Sequence, residues 1–153
     1  MKKKYFYIIP ILIILDIITK LYFKNKNINF LKYLNFNYTE NTGAIFGILK
    51  NNNLFFIILT IIIVILLVYL IKKEKKYQLE LSIILSGAIG NLIDRIIYGY
   101  VIDFIDTKIW PIFNLADMYI TIGIALILLK IITEEKSKKD LNNKEKPKKH
   151  GRQ

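Results

Sequence analysis

Cysteine is absent and histidine occurs once, as His150 near the C-terminus. The first absence excludes disulfides, thiol nucleophiles and thiolate metal sites. The second leaves no histidine-based metal cluster and no Ser-His-Asp triad to be drawn from this chain. Negative charge is scarce as well: 12 Asp and Glu face 23 Lys and Arg, a formal net charge of +11. Between Leu54 and Ile71 charge is missing altogether, in the run LFFIILTIIIVILLVYLI. No small-residue cleavage site follows the N-terminal charge-then-apolar segment, whose end is interrupted by Asp16 and Lys20. That segment is therefore expected to stay as a first membrane span rather than to be removed as a signal peptide.

What the chain has instead is apolar length. Of its 153 residues 54% are hydrophobic, and the mean hydropathy is +0.37. It is one domain by length, too apolar for an ordinary soluble one. A stretch of about 18 apolar residues is a candidate to cross a bilayer. Leu54–Ile71 meets that condition outright, and Tyr5–Phe23, Leu79–Tyr98 and Leu115–Thr133 resemble it. The expectation is an all-α membrane protein of four transmembrane helices, a single domain over residues 1–135, followed by a charged tail over 136–153 that is expected to be disordered.

The basic residues gather at Lys2–Lys4, at Lys72–Lys76 and after Thr133, which four spans place on one side. Of the 23 Lys and Arg, five (Lys24, Lys26, Lys32, Lys50, Lys108) fall on the other side and Lys20, Arg95 and Lys130 lie within spans, leaving fifteen on the basic side. The positive-inside rule makes that side the cytoplasm, with both termini there. Topology thus accounts for the charge, and nucleic acid is not an expected partner. Binding of anionic lipid or RNA by the tail is the residual reading. Asn25–Asn53 becomes the larger outer segment, where the alternation in YLNFNYTENTGAIFGI predicts short strands. Gly99–Phe113 is the shorter one, and its Trp110 suits a membrane–water interface.

This topology puts a polar layer at one depth. Asp16 and Lys20 lie toward the outer end of the first span, Asn91, Asp94 and Arg95 toward that of the third, and Asp117 toward that of the fourth. Asp103 lies just past the third span. Charges inside a bilayer are costly and face a bundle interior or a wet cavity with partners. Asp16 and Lys20, four residues apart, share a helix face and can pair. Gly87, Asn91, Asp94 and Arg95 share a face of the third span, and Gly87 and Gly90 permit close helix approach. Each also has a purely structural reading: ion pairs that set packing, or, for Asn114 and Asp117, a reciprocal helix cap. A helix N-terminus favours a charged carboxylate at Asp117. With no thiol and no usable imidazole, two membrane-edge carboxyls point to acid–base work on water. Asp117 follows Asp103 by fourteen positions, a spacing that permits their meeting without requiring it.

Four blocks, in order, resemble the bacterial lipoprotein signal peptidases (signal peptidase II): Asp16-Ile-Ile-Thr-Lys20; Asn41-Thr-Gly-Ala-Ile-Phe-Gly47; Gly87-Ala-Ile-Gly-Asn-Leu-Ile-Asp-Arg95 continuing through Gly99-Tyr-Val-Ile-Asp-Phe104; and Phe113-Asn-Leu-Ala-Asp117. The resemblance implies an intramembrane aspartic endopeptidase. It would cut prolipoproteins before a cysteine that carries diacylglycerol, in the bacterial inner membrane with its site near the outer face. It implies catalytic Asp103 and Asp117, supported by Asp16, Lys20, Asn41, Gly43, Asn91, Asp94, Arg95, Asn114 and Ala116. It further implies a small extracytoplasmic β-cradle, a short outer helix, no cofactor or metal, membrane lipids as surroundings, a monomer, and inhibition by globomycin. Met118 departs from the small residue that many members have there. Rival readings are a proton-coupled transporter, a Ser-Lys peptidase built on Ser86 and Lys20, and a non-enzymatic membrane scaffold.

Overall fold

The computed structural model describes residues 3–43 and 52–145. In chain order these form α1 (Lys3–Phe23), β1 (Asn27–Leu31), β2 (Leu34–Asn41), α2 (Asn53–Lys73), a 3-10 turn (Lys75–Tyr77), α3 (Gln78–Tyr98), β3 (Val101–Asp106) and α4 (Leu115–Glu145). Among the described residues three helical stretches are long and apolar enough to cross a membrane: Asn53–Lys73, Lys75–Tyr98 and Leu115–Lys139. The fourth expected span, α1, carries Asp16 and Lys20, yet turns Tyr7, Ile11, Ile14 and Ile18 outward. No outer helix occurs among the described residues, and Ala44–Gly47 of the second sequence block and Lys50 lie outside them.

The helix at the centre is α3, against which α1, α2 and α4 all pack. It owes that place to composition: Ser82, Ser86, Gly87, Ala88 and Gly90 are small and buried, so neighbouring backbones come close. A Cβ built on Gly87 would stand 2.3 Å from the carbonyl oxygen of Ala116 in α4. Leu67 and Ile71 of α2 meet Leu81, Ile84, Leu85 and Ala88 of α3 in the apolar core. The opposite faces of α2 and α4 leave Leu54, Ile58, Ile62, Ile65, Leu128 and Ile132 bare, as helices surrounded by lipid do.

Two expectations need correction. α4 does not stop where the charges begin but continues through Glu145, so Lys136–Glu145 is helical rather than disordered. Extending a formed helix needs no new nucleus, and this stretch carries four lysines, which favour helix. Buried charge is also not confined to one depth. Glu80, in the first turn of α3, is 4% exposed and ion-paired with Lys130 of α4, at the end of the bundle away from the sheet.

The sheet closes the other end. Its order is β1-β2-β3, antiparallel throughout. Asn25, at φ +61°, ends α1 in the left-handed conformation that terminates helices and turns the chain into β1. Gly99, at φ +83°, does the same between α3 and β3, and its N–H bonds the Arg95 carbonyl at 3.2 Å. Phe23 at the foot of α1 lies stacked between Phe36 of β2 and Phe104 of β3, with ring centroids 4.5 and 4.7 Å away, which seats the sheet on the helices. Between the pairs Phe36↔Ile105 and Thr39↔Asp103 the register of β2 slips. Asn37 and Tyr38 there oppose Phe104 alone, a bulge that re-aims the remainder of β2, including Asn41.

Gly87→Ala tests the α3–α4 contact. Alanine is the better helix former, but its methyl group would press on the Ala116 carbonyl. A net loss of about 1–3 kcal/mol is expected, read by thermal unfolding in detergent; a more stable variant would mean that the helices do not touch there.

Candidate active site

One buried ammonium organises the polar layer. Lys20 Nζ lies 2.8 Å from Asp16, 3.0 Å from Asp94 Oδ2 and 3.0 Å from Asn91 Oδ1, which occupies all three of its donors. Lys20 is 1% exposed and Asp16 is 0%, so neither charge could persist there without the other. A Cβ on Gly90 would stand 2.5 Å from Asp16 Oδ2; the glycine makes room for that carboxylate. The two carboxylates also hold backbone. Asp16 Oδ1 accepts the Ala116 N–H at 2.9 Å, and Asp94 Oδ2 accepts the Ile102 N–H at 3.0 Å.

Those two N–H groups immediately precede Asp117 and Asp103. Asp117 lies in the first turn of α4 and forms a reciprocal cap with Asn114. Its N–H donates to Asn114 Oδ1 at 3.0 Å, and its Oδ2 accepts the Asn114 N–H at 3.4 Å. Asn114 Nδ2 then donates to Asp103 Oδ1 at 2.6 Å and to Asn91 Oδ1 at 3.2 Å. Asn91 Nδ2 donates to Asp117 Oδ1 at 2.8 Å. From the sheet, Asn41 Nδ2 donates to Asp103 Oδ2 at 2.9 Å, while Asn41 Oδ1 accepts the Gly43 N–H at 3.1 Å. The amide orientations follow from the partners: Asn91 must turn its oxygen to the Lys20 ammonium, which leaves its nitrogen for Asp117. Every oxygen of the two carboxyls therefore accepts a hydrogen bond, from side-chain amides at three of them and from backbone at the fourth.

Arg95 braces the rim. Its Nη2 donates to the Gly43 carbonyl at 3.0 Å, and its guanidinium lies 4.5 Å from the centre of the Phe56 ring. Asp94 and Arg95 do not serve as partners for each other, because adjacent helix positions point apart. All eleven residues singled out in the sequence thus fall in one connected set spanning α1, β2, α3, β3 and α4. Sequence reasoning missed Asn53, whose Nδ2 donates to the Arg95 carbonyl at 3.0 Å, and Phe56 beneath the guanidinium. No local signal marked either, since both act across more than 30 positions of chain. Ser86 stands apart: its hydroxyl donates to the Ser82 carbonyl one turn back at 2.8 Å, while the Lys20 donors are spent elsewhere, which removes the Ser-Lys pairing.

Four carboxyls (Asp16, Asp94, Asp103, Asp117) share this region with two cations, Lys20 and Arg95. Burial, and next the charge of Asp117, push the Asp103 carboxyl up to about 7, against the pull of hydrogen bonds from Asn41 and Asn114. Two neighbouring carboxyls, one of which keeps its proton to neutral pH, can supply an acid and a base together.

The family model for Signal peptidase (SPase) II matches residues 8–133. The chain belongs to the signal peptidase II family. Within that family it is 40% identical over 138 residues to the lipoprotein signal peptidase of Halothermothrix orenii, covering 84% of this chain and 95% of that one. It is 41% identical over 143 residues to the lipoprotein signal peptidase of Clostridium tetani, covering 84% and 92%. A solved bacterial membrane enzyme superposes with a TM-score of 0.79 at 33% identity, over 100% of this chain and 96% of the other. The matched span takes in every residue of the polar cluster.

Two substitutions test the site's electrostatics. Lys20→Met would strand Asp16 and Asp94 as unpaired buried charges, at an expected cost of about 3–5 kcal/mol; unchanged thermal stability would refute the pairing. Asp103→Asn tests the raised pKa. A carboxyl that titrates near 7 when folded but near 3.8 when unfolded supplies stability that is intact below 3.8 and lost as pH rises through 7. The advantage of Asp103→Asn over wild type should therefore grow between pH 4 and pH 7 and then level off, reaching on the order of 2–4 kcal/mol. A pH-independent difference would contradict it.

Proposed function

We propose that this peptidase removes signal peptides from prolipoproteins, cutting the peptide bond before the diacylglyceryl-modified cysteine with Asp103 and Asp117 as the catalytic pair. The four helices span the bacterial inner membrane, both termini lie on the basic, cytoplasmic side, and the sheet is the cradle at the outer face. The observation that carries this reading is the set of three amides, Asn114, Asn91 and Asn41, that hydrogen-bonds both carboxyls, with Asn114 joining the two. Family membership supports the substrate class, and the depth of the cluster suits a cleavage site held at the headgroups by a lipid-anchored cysteine.

The chemistry rests on the two environments. Asp103 holds the proton that burial and its neighbour favour. Asp117, at a helix N-terminus that favours its charge, is the base. Asp117 takes a proton from water, whose oxygen adds to the scissile carbonyl carbon while Asp103 protonates the carbonyl oxygen. Collapse of the resulting diol breaks the C–N bond: Asp117 passes its proton to the departing nitrogen, and Asp103 regains one from a diol hydroxyl. Both carboxyls return to their starting states. Asn41 and Asn114 hold the Asp103 oxygens through the cycle, and Lys20 acts on Asp117 through Asn91. Globomycin would act by occupying this pair. No observation favours a transporter: Ser82 and Ser86, between Glu80 and Asn91 on α3, each donate to a carbonyl of their own helix.

The test is cleavage of a diacylglyceryl-modified prolipoprotein peptide in vesicles. Asp103→Asn and Asp117→Asn are each expected to fold and to lose turnover by roughly 10³-fold or more, as removal of a general acid or base does. Near-normal cleavage by either variant would overturn the assignment.

A further inference from the structure

Away from the carboxyl pair, at the end of the sheet where the β1–β2 turn meets the loop after β3, five large apolar side chains are more than half exposed. Phe30, Leu31, Tyr33, Ile109 and Trp110 are between 58% and 87% exposed. They come from two separate turns that the register sets side by side, because Asn35, just after the first turn, pairs with Asp106, just before the second. Both turns are built rather than slack. In the first, the Phe30 N–H donates to Asn35 Oδ1 at 3.0 Å, and the register slips between Asn29 and Leu31. In the second, Asp106 accepts the Lys108 N–H at 2.8 Å, the Lys108 ammonium at 2.6 Å and Asn37 Nδ2 at 2.7 Å, with Lys108 at φ +65°. Ordering large apolar groups only to leave them in water is a loss on both counts.

We infer that this double tip is a lipid-seating surface that rests at the headgroup–acyl boundary of the leaflet next to the sheet and sets the depth of the cradle. The chemistry of the patch selects that occupant. Trp and Tyr partition to the bilayer interface, and each turn carries one lysine, Lys32 and Lys108, suited to lipid phosphates, with aliphatic stems that lie along apolar surface. The patch also lies close along the chain to a membrane-crossing segment, since the loop that carries Trp110 leads into the stretch Leu115–Lys139. The inference rests on the proposed insertion of the helices in a bilayer, and the test separates the two.

Trp110 is the one tryptophan of the chain, so its fluorescence reports on the tip alone. The full chain is reconstituted in phosphatidylcholine–phosphatidylglycerol vesicles with acyl chains brominated either just below the headgroups or near the bilayer centre. Shallow bromines are expected to quench Trp110 severalfold more than deep ones, and soluble acrylamide to quench it less than free tryptophan. In Phe30→Ser/Tyr33→Ser the shallow quenching should fall while peptide cleavage persists. Protein that floats with the vesicles but leaves Trp110 open to acrylamide and untouched by either bromolipid would overturn the proposal alone; protein that fails to float would overturn the membrane reading. Shielding of Trp110 only after addition of the diacylglyceryl peptide would assign the tip to substrate and overturn the lipid assignment. Unchanged quenching in the double variant would likewise overturn the two-turn surface.

Discussion

Lys20 is the hinge of this molecule's architecture: a buried ammonium whose three donors reach residues of α1 and α3 and, through its two aspartate partners, the backbone of β3 and α4. A buried ion cluster adds little net stability, because desolvation offsets much of its Coulombic attraction. Its value is geometric. Asp16 takes the N–H just before Asp117 and Asp94 takes the N–H just before Asp103. Both carboxyls of the proposed pair are therefore positioned by one charge, and a shift of any member of the triad would be felt at both.

The asparagines complete what the ions begin. A carboxamide offers a donor and an acceptor from one rigid plane, so it can face a cation or N–H on one side and a carboxylate on the other. Asn91 does this between Lys20 and Asp117, and Asn114 between the Asp117 N–H and Asp103. A preorganised polar site of this kind avoids reorganisation during reaction, the condition under which electrostatic stabilisation is most effective. It also explains how two carboxyls exist at this depth, since each oxygen of Asp103 and Asp117 accepts a hydrogen bond from the protein.

Much of this was legible in local pattern. Apolar length marked the helices, the four-residue spacing of Asp16 and Lys20 marked their pairing, and Asn114 with Asp117 read as a reciprocal cap, all within one or two helical turns. Glu80 gave no such signal because its partner Lys130 is 50 positions away. Lys136–Glu145 misled because composition that favours disorder also favours extension of an existing helix. The Asn41–Asp103 bond could not be read at all. It depends on a bulge in β2, and a single-residue slip reverses which face a strand presents.

The sequence by itself determined that four apolar runs form helices, that small residues on the third admit close neighbours, and which carboxyls and amides were available for chemistry. These are properties of composition and of short-range spacing, where the helical repeat dictates who shares a face. Only the tertiary structure decided that Asp103 and Asp117 are bridged by one asparagine, that one lysine serves both, and that two distant turns present a single apolar tip. Those contacts join residues up to 100 positions apart, and their geometry arises from helix packing and strand register, which no local pattern encodes.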